Sequence, residues 1–452
     1  MEFSPNLIYS IGRIIRHPVS SEVMPIGGKG GSNAVLVAAD GDMTLTGDAD
    51  PSNRDDAMLY DVEIGGDARL RLIGFSAFDL GAGRDVLDLT VRPRNANAPY
   101  EIDVVASGGT NQDVLWLGEG NDIVYGESEV LDSGRGAADR IHGGGGDDTI
   151  YGDARFLSVS GGSDRIHGGN GNDTIYGDGG GVFRGHHDVL YGGAGNDVIS
   201  GDGSAADGSR GGHDTVYGGD GNDMLMGEGQ RVVQGGDDQL YGGAGDDYIW
   251  GEGSSSGDGS YGGDDVIYGG AGHDILSGDF EVQAASGGDD VIYGGAGNDA
   301  VYGDAVYHDE ELTPEDGDGG NDRLYGGDGN DAIYGDAVQM DRSPGRDIIV
   351  GGRGNDLLYG DANDRVSPPM SFNPAADQFV FAPSDGNDII GDFDSALDTI
   401  DFSAWGFTSF EAIDILENGS SEVTILLDDD DSIIVQSRGF SLTLTEDDFL
   451  LN

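Results

Sequence analysis

The sequence predicts an all-β fold: a parallel β-roll (β-solenoid) of about ten coils, with variable loops on one edge and a cap at each end. Three observations predict it. A pair of aspartates nine residues apart recurs ten times with no change of spacing. A branched aliphatic follows the aspartates at a constant offset, as in "TIY" after Asp173 and "VIY" after Asp290. Glycine, 85 of 452 residues, recurs at fixed places in the same unit.

Composition narrows the partners. There are 85 acidic and 22 basic residues, for a formal net charge of -63. Such a charge opposes compaction by self-repulsion and disfavours nucleic acid and anionic membrane surfaces. Multivalent cations are the expected partners. The chain has no cysteine, so disulfides cannot supply stability. No secretory leader is read at the start, and no apolar run is long enough for a transmembrane helix. By composition alone the middle of the chain resembles a disordered tract, so its order must come from elsewhere.

The repeat gives the coil. Ten aspartates end a Gly-rich segment: Asp122, Asp148, Asp173, Asp197, Asp223, Asp247, Asp274, Asp299, Asp331 and Asp356. Nine residues before them stand Asp113, Asp139, Asp164, Asp188, Asp214, Asp238, Asp265, Asp290, Asp322 and Asp347. The return to the next pair varies from 15 to 23 residues. One connection is therefore fixed and the other is free. Three extended residues after each aspartate suffice for a short strand whose central residue points inward. Two such strands, a fixed turn and a variable loop make one flat coil, and stacked coils make two parallel sheets. The expected core rungs are Ile150, Ile175, Ile199, Leu225, Ile249, Leu276, Val301, Ile333 and Leu358 on one sheet. Ile141, Ile166, Leu190, Val216, Leu240, Ile267, Ile292, Leu324 and Ile348 are expected on the other.

The turn chemistry points to a hard cation. Glycine allows positive φ and close approach of backbone to a ligand, so a Gly-rich turn can aim carbonyl oxygens at one point. Calcium takes six to eight such oxygens together with carboxylates. The candidate ligands on the fixed-turn edge are the ten turn-ending aspartates and the glycines before them: Gly143, Gly168, Gly171, Gly192, Gly195, Gly218, Gly221, Gly242, Gly245, Gly269, Gly272, Gly294, Gly297, Gly326, Gly329, Gly351 and Gly354. Ten turns enclose nine spaces, so about nine or more calcium ions are expected. The loop edge offers a second set. It comprises Asp139, Asp164, Asp188, Asp214, Asp238, Asp265, Asp290, Asp322 and Asp347, with the acids after the second strand: Asp178, Asp202, Glu228, Glu252, Asp279 and Asp304.

The segments "GGNGNDTIY" (168–176), "GGAGNDVIS" (192–200), "GGAGNDAVY" (294–302) and "GGDGNDAIY" (326–334) match the G-G-x-G-x-D-x-U-x nonapeptide. The chain resembles the RTX (repeats-in-toxin) family of calcium-binding parallel β-rolls over roughly residues 111–361, with a weaker echo at "GAGRDVLDL" (81–89). That resemblance implies calcium binding, export through a type I secretion apparatus and folding outside the cell. The segment 376–407 is similar to the one that follows the repeats in serralysin-type secreted proteins, where it caps the roll. "LTEDDFLLN" (444–452) looks like an uncleaved type I secretion signal.

Three regions follow: 1–110, a β-rich cap or small domain of degenerate coils; 111–365, the calcium roll; and 366–452, the C-terminal cap with the signal. The expected function is that of a secreted, extracellular calcium-binding protein with a structural or interaction role. The alternatives are a polysaccharide-binding or adhesin module that uses outward tyrosine rows or the loops, and an enzyme with its activity in 1–110. No H-E-x-x-H zinc signature occurs, and "GSSSG" (253–257) lies in a Gly/Ser loop rather than at a strand–helix elbow. No catalytic residues are assigned.

Overall fold

Alternation along a strand puts every second side chain on the same face, so a three-residue strand can bury only its middle one. The computed structural model shows this in coil after coil. It describes short strands between residues 15 and 89, then residues 103–128, 130–131, 135–157, 160–203, 205–255, 260–279, 285–304, 319–336, 344–361, 375–428, 431–438 and 441–452. The fold is an all-β parallel β-solenoid, with helix limited to 3-10 turns among the described residues. The chain divides into two compact units.

The first unit comprises Met1–Ala206 with Asp214–Gly219. One of its sheets runs in parallel register through Val114–Trp116, Arg140–Gly145, Arg165–Asn170 and Val189–Ala194. The other runs through Val105–Ser107, Ile123–Tyr125, Thr149–Tyr151, Thr174–Tyr176 and Val198–Ser200. Both sheets continue into the first hundred residues. Val86–Asp88 pairs with Val114–Trp116, and Val35–Val37 pairs with Ala77–Asp79, which pairs with Val105–Ser107. Leu80 and Leu87 are closed to solvent in these degenerate coils. Antiparallel strands Met43–Thr46, Leu59–Ile64 and Ala68–Ile73 branch from the first sheet.

The second unit comprises Asp207–His213 with Asp220–Asn452. Its first sheet runs through Gln239–Ala244, Val266–Ala271, Val291–Ala296, Arg323–Asp328, Ile348–Arg353, Gln378–Val380 and Thr399–Asp401. Its second runs from Met224–Met226 to Asn387–Ile390. There Ser432–Gln436 adds in parallel, and Glu422–Leu426 and Asp414–Glu417 follow antiparallel. Phe379, Phe381, Phe393 and Phe402 fill this C-terminal end and are almost fully buried. The tail is part of the cap: Phe449–Leu450 pairs with Ile400 and Asp401, and Phe449 stacks on Phe402 at 5.7 Å.

The expected core rungs are closed to solvent, with one correction: the buried residue of the last repeat coil is Ile349, while Ile348 is half-buried on the outer face. The inward position is two residues after the aspartate, and Ile349 accordingly pairs with Leu324. A second difference concerns strand length. First-sheet strands of the repeat coils, from Arg140–Gly145 to Ile348–Arg353, run six residues, because the ladder continues through the turn glycines, as in the Gly169–Gly193 pair. The loops also pair with one another in parallel, Val130–Leu131 with Phe156–Leu157 and Ser260–Tyr261 with Ala285–Ser286.

Aromatic rows line the outer faces. Tyr241, Tyr268 and Tyr293 stack at 5.0 and 4.8 Å with rings within 8° of parallel. His167 takes the place of a tyrosine in the row ahead of Tyr191, at 4.3 Å. Equivalent residues one coil apart sit at the natural strand spacing, so identical rings cover each other's faces.

Candidate metal centres

Each turn-ending aspartate is held by the coil before it. The Asp122 amide donates to Asp148 Oδ1 at 2.7 Å, that of Asp148 to Asp173 Oδ1 at 2.8 Å, and that of Asp173 to Asp197 Oδ1 at 2.8 Å. In the second unit the same row runs from Asp223 through Asp247, Asp274, Asp299 and Asp331 to Asp356 and then Asp388. The other carboxylate oxygen is left over. Oδ2 of Asp122, Asp148, Asp173, Asp247, Asp274, Asp299, Asp331 and Asp356 is buried and makes no hydrogen bond.

Glycine cradles these oxygens. A Cβ on Gly168 would stand 2.2 Å from Asp173 Oδ2 and 2.8 Å from the carbonyl oxygen of Gly192. Gly143, Gly192, Gly242, Gly269, Gly294 and Gly326 show the same two neighbours, and Gly351 meets Asp356 Oδ2 at 2.3 Å. The third glycine of the turn has positive φ, +128° at Gly171 and +130° at Gly195. Carbonyl oxygens and a spare carboxylate oxygen therefore converge where no side chain fits.

The residue before each turn aspartate carries a row in the opposite sense. Asp147 Oδ1 accepts the Asn172 amide at 2.8 Å, and Asn172 Oδ1 accepts that of Asn196 at 2.8 Å. His273 joins this exposed row, its Nδ1 accepting from the Asn298 amide at 2.7 Å. Asn, Asp and His interchange there because each offers an acceptor at that reach.

The loop edge has its own aspartate row. Asp113, Asp139 and Asp164 donate backbone N–H to Oδ1 of Asp139, Asp164 and Asp188 at 2.6–2.7 Å, and Asp188 donates to Asp214. In the second unit Asp238, Asp265, Asp290, Asp322 and Asp347 continue the pattern to Asp377. Oδ2 of Asp139, Asp164, Asp188, Asp265, Asp290, Asp322 and Asp347 is buried without a hydrogen bond.

Here the acid after the second strand does two things. It clamps the loop base, because Asp153 Oδ2 accepts the Gly162 amide at 2.7 Å, as Glu228 does from Gly236 at 2.6 Å and Asp336 from Gly345 at 2.9 Å. It also faces the aspartate row. Carboxylate oxygens of Asp153, Asp164 and Asp178 lie within 4.8 Å of one another, and so do those of Asp178, Asp188 and Asp202. Asp178 belongs to both groups. Glu252, Asp279 and Asp304 hold the equivalent buried positions in the second unit. Glu127, Asp153, Asp336 and Asp361 belong to this column although the candidate set omitted them; the same "G-[DE]" signal precedes each loop.

Burial raises the carboxyls. Asp122, Asp173, Asp247 and Asp331 are lifted to about 7, Asp148 to about 8, and Asp197, Asp274 and Asp356 to about 6, with desolvation the first cause in each. Asp164, Asp178 and Asp188 rise well above the usual range through burial and then through their acidic neighbours. Rows of buried anions are costly unless a cation meets them. Spare carboxylate oxygens and convergent carbonyls are hard donors at a site with no room for a side chain, and they fit calcium.

A parallel solenoid edged by such rows defines a class, the cation-binding β-roll. The family model of the RTX calcium-binding nonapeptide repeat matches ten segments from residues 105–129 to 343–365, together half of the chain. The chain belongs to the RTX calcium-binding repeat family. A search of curated proteins returned no match. Among the described residues no helix is long and apolar enough to cross a membrane.

Proposed function

We propose that this chain is a secreted structural or interaction protein whose roll folds when extracellular calcium binds along both edges. The observation that carries the reading is the row of buried Oδ2 atoms without hydrogen bonds, each beside a glycine cradle. On the turn edge the aspartates from Asp122 to Asp356 and the carbonyls of the preceding glycines would hold the ions. On the loop edge Asp139, Asp164, Asp188, Asp265, Asp290, Asp322 and Asp347 would do so with the loop-base acids. Bound calcium neutralises the rows, and because the ion binds only the folded roll, its binding energy becomes folding energy. Low cytosolic calcium would leave the chain extended for type I export, and millimolar calcium outside would fold it.

The reading assigns no catalysis to residues 1–110, where strands Val86–Asp88, Ala77–Asp79 and Val105–Ser107 continue the two sheets. It also places any interaction role on the loops. The stacked tyrosines cover one another's faces and so present edges rather than flat rings to a sugar. A calcium titration of the metal-free full chain, followed by circular dichroism and an ion count, tests the reading. A cooperative coil-to-β transition with about nine or more ions is expected. Identical spectra with and without calcium would overturn it.

A further inference from the structure

The loop-edge column ends differently from the way it runs. Asp361 and Asp377 hold, in the last coil, the places that Asp153 and Asp164 hold earlier, loop-base acid and strand-opening acid; Asp392 comes one residue early in the next coil, two residues after the inward Ile390 where Asp178 is three after Ile175. Both carboxylate oxygens of Asp178 are buried and accept no backbone amide, their neighbour being the Asp153 carboxyl. Asp392 is fully engaged. Its Oδ1 accepts the Gly360 amide and its Oδ2 the Asp361 amide, both at 3.0 Å. In the earlier coil the matching amides of Gly152 and Asp153 go to the carbonyls of Tyr176 and Asp178.

Arg438, two residues beyond strand Ser432–Gln436, enters this last group. Its Nη2 donates to Asp392 Oδ2 at 2.8 Å and lies 3.7 Å from Asp361 Oδ2. The arginine side chain is 20% exposed, against 2% for Asp392 and 4% for Asp361. Its charge also reaches Asp377, where it works against the upward pull of burial. A guanidinium is always charged and its fork suits carboxylates, so it neutralises them without an ion.

We infer that Arg438 is a built-in cation that fills the terminal loop-edge position in place of calcium; the inference rests on the proposed reading of that edge. The acids of the terminal loop-edge group are then partly neutralised before calcium arrives. The C-terminal end orders at lower calcium than the coils ahead of it.

The test uses the full chain with Trp116 and Trp250 replaced by Phe, so that Trp405 reports on the cap. Calcium is titrated while Trp405 fluorescence, far-ultraviolet circular dichroism and bound calcium per chain are followed. With Arg438 present, the Trp405 transition is expected at lower calcium than the β-sheet transition. Arg438→Met is expected to bind one more calcium and to move the Trp405 midpoint up to that of the roll or beyond. An unchanged count with an unchanged midpoint overturns the inference. If Arg438→Met does not fold at any calcium concentration, the double variant Asp392→Asn/Arg438→Met, which removes both charges, is expected to fold with the original count; failure of that rescue also overturns it. Asp178→Asn separates the two readings. If it leaves the calcium count unchanged, the loop edge holds no ions and the proposed function is wrong there, whatever Arg438 does.

Discussion

Asp173 Oδ1 accepts the backbone N–H of Asp148, one coil earlier, at 2.8 Å, and Asp173 Oδ2 is left buried with no hydrogen bond. One oxygen of the carboxylate thus stitches coils together, and under the proposed function the other would meet the ion. Asp173→Asn and Asp173→Ala should separate them. The amide keeps an Oδ1 acceptor, so Asn is expected to lower the calcium count while keeping the stitch. Ala loses both, with a further cost of about 1–3 kcal/mol for the orphaned amide. Calcium counting and denaturant melts in saturating calcium check this; equal stability of the two variants would count against the stitch.

Gly195 has φ of +130°, and a Cβ there would stand 2.0 Å from the carbonyl oxygen of Gly171. Gly195→Ala is expected to destabilise the calcium-loaded roll by about 1–3 kcal/mol from backbone strain alone, before the clash is counted. Ala194, in the preceding position, aligns with Asn170 and is half-exposed, so Ala194→Asn should be near neutral. Thermal melts of the two variants decide it.

The core is one residue thick on each sheet, so single truncations should be felt. Leu276 is closed to solvent and pairs with Ile249 and Val301 on either side. Leu276→Ala is expected to cost about 2–5 kcal/mol. Leu416, 46% exposed at the outer antiparallel strand, is the control, and Leu416→Ala should change little.

The aspartate rows set the sign of the pH response. Their folded carboxyls are raised, to about 7 at Asp122 and Asp173 and about 8 at Asp148, above an ordinary value of 3.8. A raised acid favours the folded state when protonated, so its contribution is complete below 3.8 and is lost as pH rises through 6–8. The metal-free chain is therefore expected to gain β structure on acidification from pH 8 toward pH 4. Calcium binding near neutral pH is expected to release protons. Circular dichroism without calcium, and calorimetry in buffers of different ionisation heat, measure the two effects. A metal-free chain that loses β structure on acidification would contradict the burial of these rows.

Much of the site was legible because the repeat is strict. A nine-residue lock between Asp164 and Asp173 can persist only if both residues occupy fixed places in a coil, so the ten turn aspartates and their glycines could be read directly. The loop-base column was partly missed. Asp153 and Asp336 clamp Gly162 and Gly345 across nine residues in each case, but Glu228 reaches Gly236 across eight and Asp304 reaches Gly320 across sixteen. Sequence separation there carries no constant, and only the closed loop brings the partners together.

Sequence by itself determined the coil, the two sheets, the inward aliphatics and the cation chemistry of the turns, because each depends on spacing along one chain. Tertiary structure decided what depends on stacking. It set which oxygen of each aspartate stitches and which is left over, and it paired the loops with one another. It folded the tail Phe449–Leu450 into the cap and placed Arg438 among Asp361, Asp377 and Asp392. These are relations between coils 24 or more residues apart, or between the roll and its cap, and no local periodicity encodes them.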